Sequence, residues 1–256
     1  MSLLEEAFTV LRRHSTNYVE PILVMPPVLQ ETKLAAYLIM RGIDEIEDHP
    51  DLDGDSKTAL LDGVSQAIQG RLTEKAIDSL CSTHGPAIPE VTLRIADWAR
   101  LLPDEIGPRV LDAFATMGER MADWVRADFR IESEHDLDRY TYSVAGSLAL
   151  MLGDVWTWFD GTRCNRTWLV GYGRGIQAAN IMQDKETDAQ RGVSFVPPGW
   201  DHRRMHDYAR RELLLADRHV DALAPASPAR RWCEQPMAIA WHTVNTAVAG
   251  TVRADG

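Results

Sequence analysis

Apolar residues recur at i, i+3, i+4 and i+7 along nearly the whole chain, while the strict alternation that a half-buried strand requires is scarce. A chain patterned in this way buries its apolar stripes by packing helix on helix, so the expected fold class is all-α. Helical stretches are expected over 34–47, 57–69, 90–102, 108–129, 136–159, 167–187, 202–223 and 229–248. The first should stop at His49-Pro50, because the residue before a proline avoids the helical region. The separators are short and rich in Pro, Gly and Asp, as suits helices that double back on one another. No long Ser/Gly/Pro linker interrupts the pattern and no fixed-period repeat marks a solenoid, so a single domain over residues 1–256 is expected.

Charge narrows the function. With 38 acidic against 27 Lys and Arg residues, the formal net charge is −11, which argues against a protein that coats nucleic acid or an anionic membrane by attraction. A chain of this charge that binds phosphates needs locally placed Arg or divalent cations. The three cysteines, Cys81, Cys164 and Cys233, lie far apart without zinc-finger spacing, so neither a disulfide scaffold nor a structural zinc is expected. Glu5 and Glu6 stand where a secretory leader would be basic, and no apolar run approaches a membrane span of roughly 18 residues. A cytoplasmic protein without a transmembrane segment is therefore expected. Asp51-Leu-Asp-Gly-Asp55 lacks the ligand order and closing glutamate of a calcium loop and reads as a solvated turn.

Two acidic helical faces carry the chemistry. Arg41, Asp44 and Asp48 fall along one face of the 34–47 helix with Glu47 beside them, and carboxylates four apart repel unless solvent or a cation intervenes. Alone, such a face is more often solvated than metal-binding. Gln177, Asn180, Asp184 and Asp188 repeat the four-residue aspartate spacing on another helix. Both sets have apolar neighbours, so the carboxylates are expected to point inward from core helices, where hard divalent cations would offset their burial. Magnesium suits such pairs because it keeps places for water and substrate phosphates. Two facing aspartate pairs bridged by Mg2+ would make a diphosphate receptor within an acidic protein.

These residues resemble motifs of the squalene and phytoene synthases, which have the isoprenoid diphosphate synthase fold. The run from Tyr37 through Arg41, Asp44 and Asp48 resembles the first aspartate-rich motif, and Tyr140-Thr141-Tyr142-Ser143-Val144-Ala145-Gly146 the tyrosine motif. Gly175 to Asp184, running on to Asp188 and Arg191-Gly192, is similar to the second aspartate-rich motif. His14-Ser15-Thr16-Asn17-Tyr18 resembles the segment that closes over a diphosphate, and Trp232 to Ala240 the last core helix. The resemblance implies a helical bundle around a central pocket and a Mg2+-dependent prenyltransferase that ionises an allylic prenyl diphosphate. It implies Asp44, Asp48, Asp184 and Asp188 as metal ligands and Arg41 and Arg191 on the phosphates. His14, Ser15, Asn17, Tyr18, Gln177 and Asn180 would bind substrate, and Tyr140 would face the cation.

Departures from the family pattern guide the choice of acceptor. Gln183 stands where the second motif usually has Arg, and Thr187-Asp188 where it usually has Glu-Asp. The chain stops soon after the last core helix, and no G-x-G-x-x-G follows a strand, so reduction by a nicotinamide cofactor is not expected. Trp156 and Trp158 either shorten a pocket otherwise sized for two prenyl chains or simply pack. The leading expectation is transfer to a small aromatic acceptor such as a carbazole or indole. The alternatives are head-to-head condensation of two prenyl diphosphates and a non-catalytic isoprenoid-binding subunit. His135, His206, His219 and His242 show no ligand pairing and read as solvated or hydrogen-bonded.

Overall fold

The computed structural model describes residues 2–15, 17–83, 88–190 and 192–252, and every regular element among them is a helix. The chain divides into two compact units, Met1–Arg126 and Ala127–Gly256. No helix among the described residues is long and apolar enough to cross a membrane.

The first unit contains α1 (Leu3–His14), α2 (Val19–Leu23), α3 (Pro27–Glu47), α4 (Gly54–Gln69), α5 (Glu74–Cys81), α6 (Glu90–Leu93), α7 (Ile95–Ala99) and α8 (Gly107–Arg126). A capping box starts α1: the Ser2 hydroxyl accepts the Glu5 N–H, and the Glu5 carboxylate accepts the Ser2 N–H. The central helix α3 begins at Pro27, seven residues ahead of the expected Leu34, because a proline at the first helical position loses no hydrogen bond and already has the helical φ. Leu29, Leu34, Leu38, Ile39, Ile43 and Ile46 on α3 are fully buried and form the middle of this core. Asp53 caps α4 by accepting the Ser56 N–H at 2.8 Å, which gives the Asp51–Asp55 stretch its place as a helix-initiating turn.

The expected 90–102 helix is broken at Arg94 into α6 and α7. Side chains explain the break. Thr92 Oγ1 donates to the Gly42 carbonyl at 2.8 Å and Trp98 Nε1 to the Val91 carbonyl at 2.9 Å, tying the segment to α3 and to itself. Arg94, over the Trp98 ring at 4.5 Å, pairs with Glu6, Glu90 and Asp97 and so fastens α1 to this corner.

The second unit contains α9 (Glu134–Thr141), a π-helical turn (Tyr142–Gly146), α10 (Ser147–Asp160), α11 (Arg166–Gln190), α12 (His202–Ala222) and α13 (Pro228–Val252). The single helix expected over 136–159 is thus interrupted by the π turn directly after Tyr140 and Thr141. Helix α11 permits close packing through Gly171, Gly173 and Gly175. A Cβ on Gly171 would meet Leu215 at 2.5 Å and one on Gly175 would meet Leu213 at 2.8 Å, so those two admit α12. A Cβ on Gly173 would stand 2.4 Å from the Ala145 carbonyl oxygen, so that glycine admits the backbone of the π turn. His219, expected to be solvated or hydrogen-bonded, is instead 1% exposed, with Nε2 lacking a hydrogen-bond partner and its ring edge-on to Tyr172. Desolvation pushes its pKa down to about 4.

Candidate active site

In the first unit, the acidic face forms the C-terminal end of α3. Asp44, Glu45, Glu47 and Asp48 crowd its last turn, with no basic residue there, although the carbonyl end of a helix repels negative charge. Arg41 lies among them: its Nε and Nη2 donate to Glu45 Oε1 at 3.0 and 2.8 Å, and its Nη1 is 3.8 Å from Asp44 Oδ2. The Asp44 side chain is 30% exposed, yet desolvation, opposed by Arg41 and reinforced by the Asp48 and Glu45 carboxylates, pushes its carboxyl up to about 7. Lys57, from α4, also reaches this helix end, where its ammonium donates to the Glu47 carbonyl.

The His14–Tyr18 segment is fastened to the same face. His14 Nδ1 is 3.3 Å from Glu45 Oε1, and the Tyr37 hydroxyl donates to the His14 carbonyl at 3.0 Å. Ser15 Oγ accepts the Tyr18 N–H at 3.0 Å, and the Tyr18 ring packs 5.3 Å from that of Tyr37. Asn17 is exposed. Thus the structure brings His14, Arg41 and Asp44 together around Glu45, a residue the sequence reasoning left out of the site, and ties Ser15 and Tyr18 to the neighbouring Tyr37. The i+4 position of Glu45 from Arg41 was the available signal.

In the second unit, α11 presents Gln177 half-buried, Asn180 exposed, Asp184 exposed and Asp188 half-buried, and its last turn also carries no basic residue. Asp48 in the first unit is exposed as well. The expectation that the aspartates point into the core is therefore corrected for Asp48 and Asp184, whereas Asp44 and Asp188 are half-buried. The apolar neighbours fill the opposite faces of α3 and α11, and the acids occupy helix ends that solvent reaches. Gln183 is exposed too, its Oε1 accepting from Thr243 Oγ1 at 3.4 Å. Arg191 lies outside the described residues.

Tyr140, at the end of α9, is buried, with one ring face stacked on Phe195 at 4.5 Å and 19°. Beneath it, the Tyr208 hydroxyl joins three elements. It accepts from Arg174 Nη2 at 3.1 Å, donates to Asp138 Oδ1 at 3.0 Å and lies 3.1 Å from Thr141 Oγ1. Arg174 also pairs with Asp138, and its Nε lies 3.7 Å from Glu212 Oε2. This network fixes the residue after Tyr140 to α11 and α12. Arg174, Tyr208 and Phe195 had no sequence signal, because they meet Tyr140 and its neighbours only through tertiary packing. Trp156 is 1% exposed, the setting of a packing residue, and Trp158 is half-buried.

The donor chemistry fits magnesium. All four aspartates carry hard oxygen donors in i, i+4 pairs, and the Asp48 and Glu45 carboxylates act on Asp44 against the opposing pull of Arg41. Among the described residues no group of three or more His, Cys, Asp or Glu is gathered for a metal. An ion held by one such pair would draw the rest of its shell from water and phosphate oxygens.

The squalene/phytoene synthase family model matches residues 11–254. Squalene synthase of Eremothecium gossypii is 26% identical over 219 residues, covering 78% of this chain and 47% of its own length. The 15-cis-phytoene synthase of Synechocystis is 25% identical over 226 residues, covering 82% of this chain and 61% of its own. The chain thus spans about half to three-fifths of the length of these relatives. A solved ligand complex of TcSQS superposes with a TM-score of 0.76 at 15% identity, covering 96% of this chain and 79% of that one, which establishes the shared fold.

Proposed function

Because the chain belongs to the squalene/phytoene synthase family, we propose that it is a prenyltransferase joining two prenyl diphosphates head to head, with residues 11–254 working as one catalytic domain. The observation that carries this reading is the family match running through both units and all the aspartate and tyrosine motifs. The relatives described above are named squalene and phytoene synthases, so this condensation takes precedence over the expected transfer to a carbazole or indole. The aromatic acceptor keeps one supporting feature: neutral Gln183, engaged with Thr243, where a second diphosphate clamp would favour Arg.

In this reading Asp44 and Asp48 on α3, and Asp184 and Asp188 on α11, hold magnesium. When bound, the metal neutralises charge on the departing diphosphate. Arg41 turns part of its guanidinium from Glu45 to a phosphate oxygen, and His14, Ser15 and Tyr18 cover that group. Asn180 and Gln177 offer amide contacts one and two turns before Asp184. The allylic C–O bond breaks with its electron pair leaving on diphosphate. The double bond of the second prenyl diphosphate attacks the cation, and loss of a proton closes a cyclopropane. Tyr140 presents its hydroxyl and one ring face where they can steady the cation or move that proton.

Incubation of the protein with magnesium and geranyl, farnesyl or geranylgeranyl diphosphate, followed by mass spectrometry, tests the proposal. A cyclopropyl diphosphate or a hydrocarbon of doubled chain length from the donor alone supports it. A prenylated ring formed only when carbazole or indole is added would replace it with the aromatic reading.

A further inference from the structure

One oxygen atom of the second unit joins three helices next to the tyrosine motif. The Tyr208 hydroxyl on α12 gives its proton to Asp138 of α9 and accepts from Arg174 of α11. Thr141, the last residue of α9, is therefore the donor across the remaining 3.1 Å contact, its proton also facing the Leu137 carbonyl at 2.8 Å. A phenolic oxygen has one proton to give and two acceptor sites, so its capacity is filled. Both Tyr208 and Thr141 are buried. The Tyr208 ring lies 5.9 Å from Trp200 and 4.9 Å from the Arg211 guanidinium, so packing that does not involve Thr141 sets where the hydroxyl stands.

Arg174 spans the length of the π turn. Its Cγ lies 3.4 Å from where a Cβ on Gly146, the last residue of the turn, would stand. Its guanidinium, held between Asp138 and Glu212, meets Tyr208 beside Thr141, the residue before the turn starts. The preceding residue of α11 is Gly173, whose bare backbone admits Ala145. Two adjacent residues of α11 thus address the same turn, and α11 also carries Asp184 and Asp188. Hydrogen-bonded networks in a low-dielectric interior rigidify the elements they join, and single π turns within helices occur often at functional sites.

We infer that Tyr208 is a positioning residue: through Thr141 and Arg174 its hydroxyl sets the register of the tyrosine motif, from Tyr140 through the π turn, against the helix that carries the second aspartate pair. The inference rests on the prenyl-transfer reading above, in which the aspartates take the diphosphate and the tyrosine motif lies beside the reacting carbons. Loss of the hydroxyl leaves the aspartates and the Arg174–Asp138 pair in place, but frees the junction of α9 and the π turn to move along α11. Binding of metal and diphosphate is then preserved while the coupling step slows, because displacement of a group beside the reacting atoms by a fraction of an ångström is felt in turnover.

The test uses the full chain with Tyr208→Phe, which keeps the ring, and Thr141→Val, which removes the same bond from its other end and leaves Tyr208 with Arg174 and Asp138. Each should lower kcat for the coupled product about tenfold, while KM for the prenyl diphosphate and the magnesium concentration at half-maximal rate stay within about threefold of the parent. Thr141→Ser, which keeps the hydroxyl, should restore kcat. The double variant Tyr208→Phe/Thr141→Val should be no slower than the slower single one, because both remove one interaction. Ser65→Ala, which deletes a buried hydroxyl bond to the Ala115 carbonyl in the first unit, should lower the denaturation midpoint without changing kcat. Unchanged kcat in Tyr208→Phe, losses that multiply to about a hundredfold in the double variant, or KM and magnesium requirement rising in step with the loss of kcat would each overturn the inference while diphosphate release by the parent leaves the prenyl-transfer reading standing. A parent that releases no diphosphate from any prenyl donor would overturn both.

Discussion

Gly173→Ala should separate the π turn from α11 and thereby disturb Tyr140 from a distance. An added Cβ would lie 2.4 Å from the Ala145 oxygen, 2.6 Å from its carbonyl carbon and 2.8 Å from Gly146 Cα. Ordinary contact begins at 3.4 Å, and every one of these neighbours is backbone, so the turn must withdraw by about 1 Å. Overpacking of this kind costs about 1–3 kcal/mol, and the absence of a yielding side chain puts it at the upper end. Replacing glycine by alanine inside a helix returns about 1 kcal/mol, leaving a net loss of about 1–2 kcal/mol. Gly153→Ala is the matched control. Its Cβ would meet Leu169 Cδ1 at 2.4 Å, but that is the end of a flexible side chain, and the next neighbour, Cys164 Cβ, is 3.6 Å away. A rotamer change in Leu169 costs about 1 kcal/mol, which the helix gain offsets, so this variant should be near neutral. Urea denaturation followed by circular dichroism should therefore rank the control with the parent and Gly173→Ala below both. A shift of about 1 Å beside a reacting group also costs on the order of a hundredfold in turnover, so coupled product should fall accordingly in Gly173→Ala alone. If both variants are equally stable and equally active, the close approach of α11 to the π turn does not have the role assigned to it.

Asp48→Asn and Asp184→Asn should each lower turnover about a hundredfold or more, and chelation of magnesium should abolish it reversibly; retained turnover in both variants would remove the metal assignment. Glu45→Gln releases Arg41 and His14 from their shared acceptor and should weaken donor binding about tenfold, read as a rise in KM with little change in the circular dichroism spectrum. His219 stays neutral in the folded chain down to about pH 4, whereas in the unfolded chain it takes up a proton near pH 6.5. Its contribution is intact above the upper value and is lost as the pH falls through that window, by about 3 kcal/mol in all. Denaturation midpoints should thus decline less between pH 6.5 and 4 in His219→Phe than in the parent, and an unchanged decline would exclude His219 as the cause.

The all-α fold was legible because the apolar spacing of a helix recurs in every packed element, but the exact course of the helices depended on contacts that spacing does not encode. Periodicity continues across Arg94, where tertiary hydrogen bonds from Thr92 and Trp98 divide α6 from α7. It also continues across Tyr142–Gly146, where only the bare backbone of Gly173 reveals that the turn is wide. The early start of α3 is written in Pro26-Pro27, because a proline at the first helical position costs the helix no hydrogen bond.

The candidate site divides along the same physical line. Residues related by one helical turn were found from the chain: Arg41 with Asp44, Asp44 with Asp48, Asp184 with Asp188. Residues that reach the site from loops or from other helices, such as Phe195 and Tyr208, were not. The exposure of Asp48 and Asp184 was misjudged because apolar neighbours in sequence say which face of a helix is buried, not how far along the helix burial extends. Exposed helix ends also suit the proposed chemistry better than a buried pair would. A carboxylate pair at the carbonyl end of a helix is destabilised by the dipole and by mutual repulsion without being locked away from solvent. In the proposed reading, a hydrated divalent ion arriving with its diphosphate would relieve the repulsion around Asp44, so substrate and metal would load together.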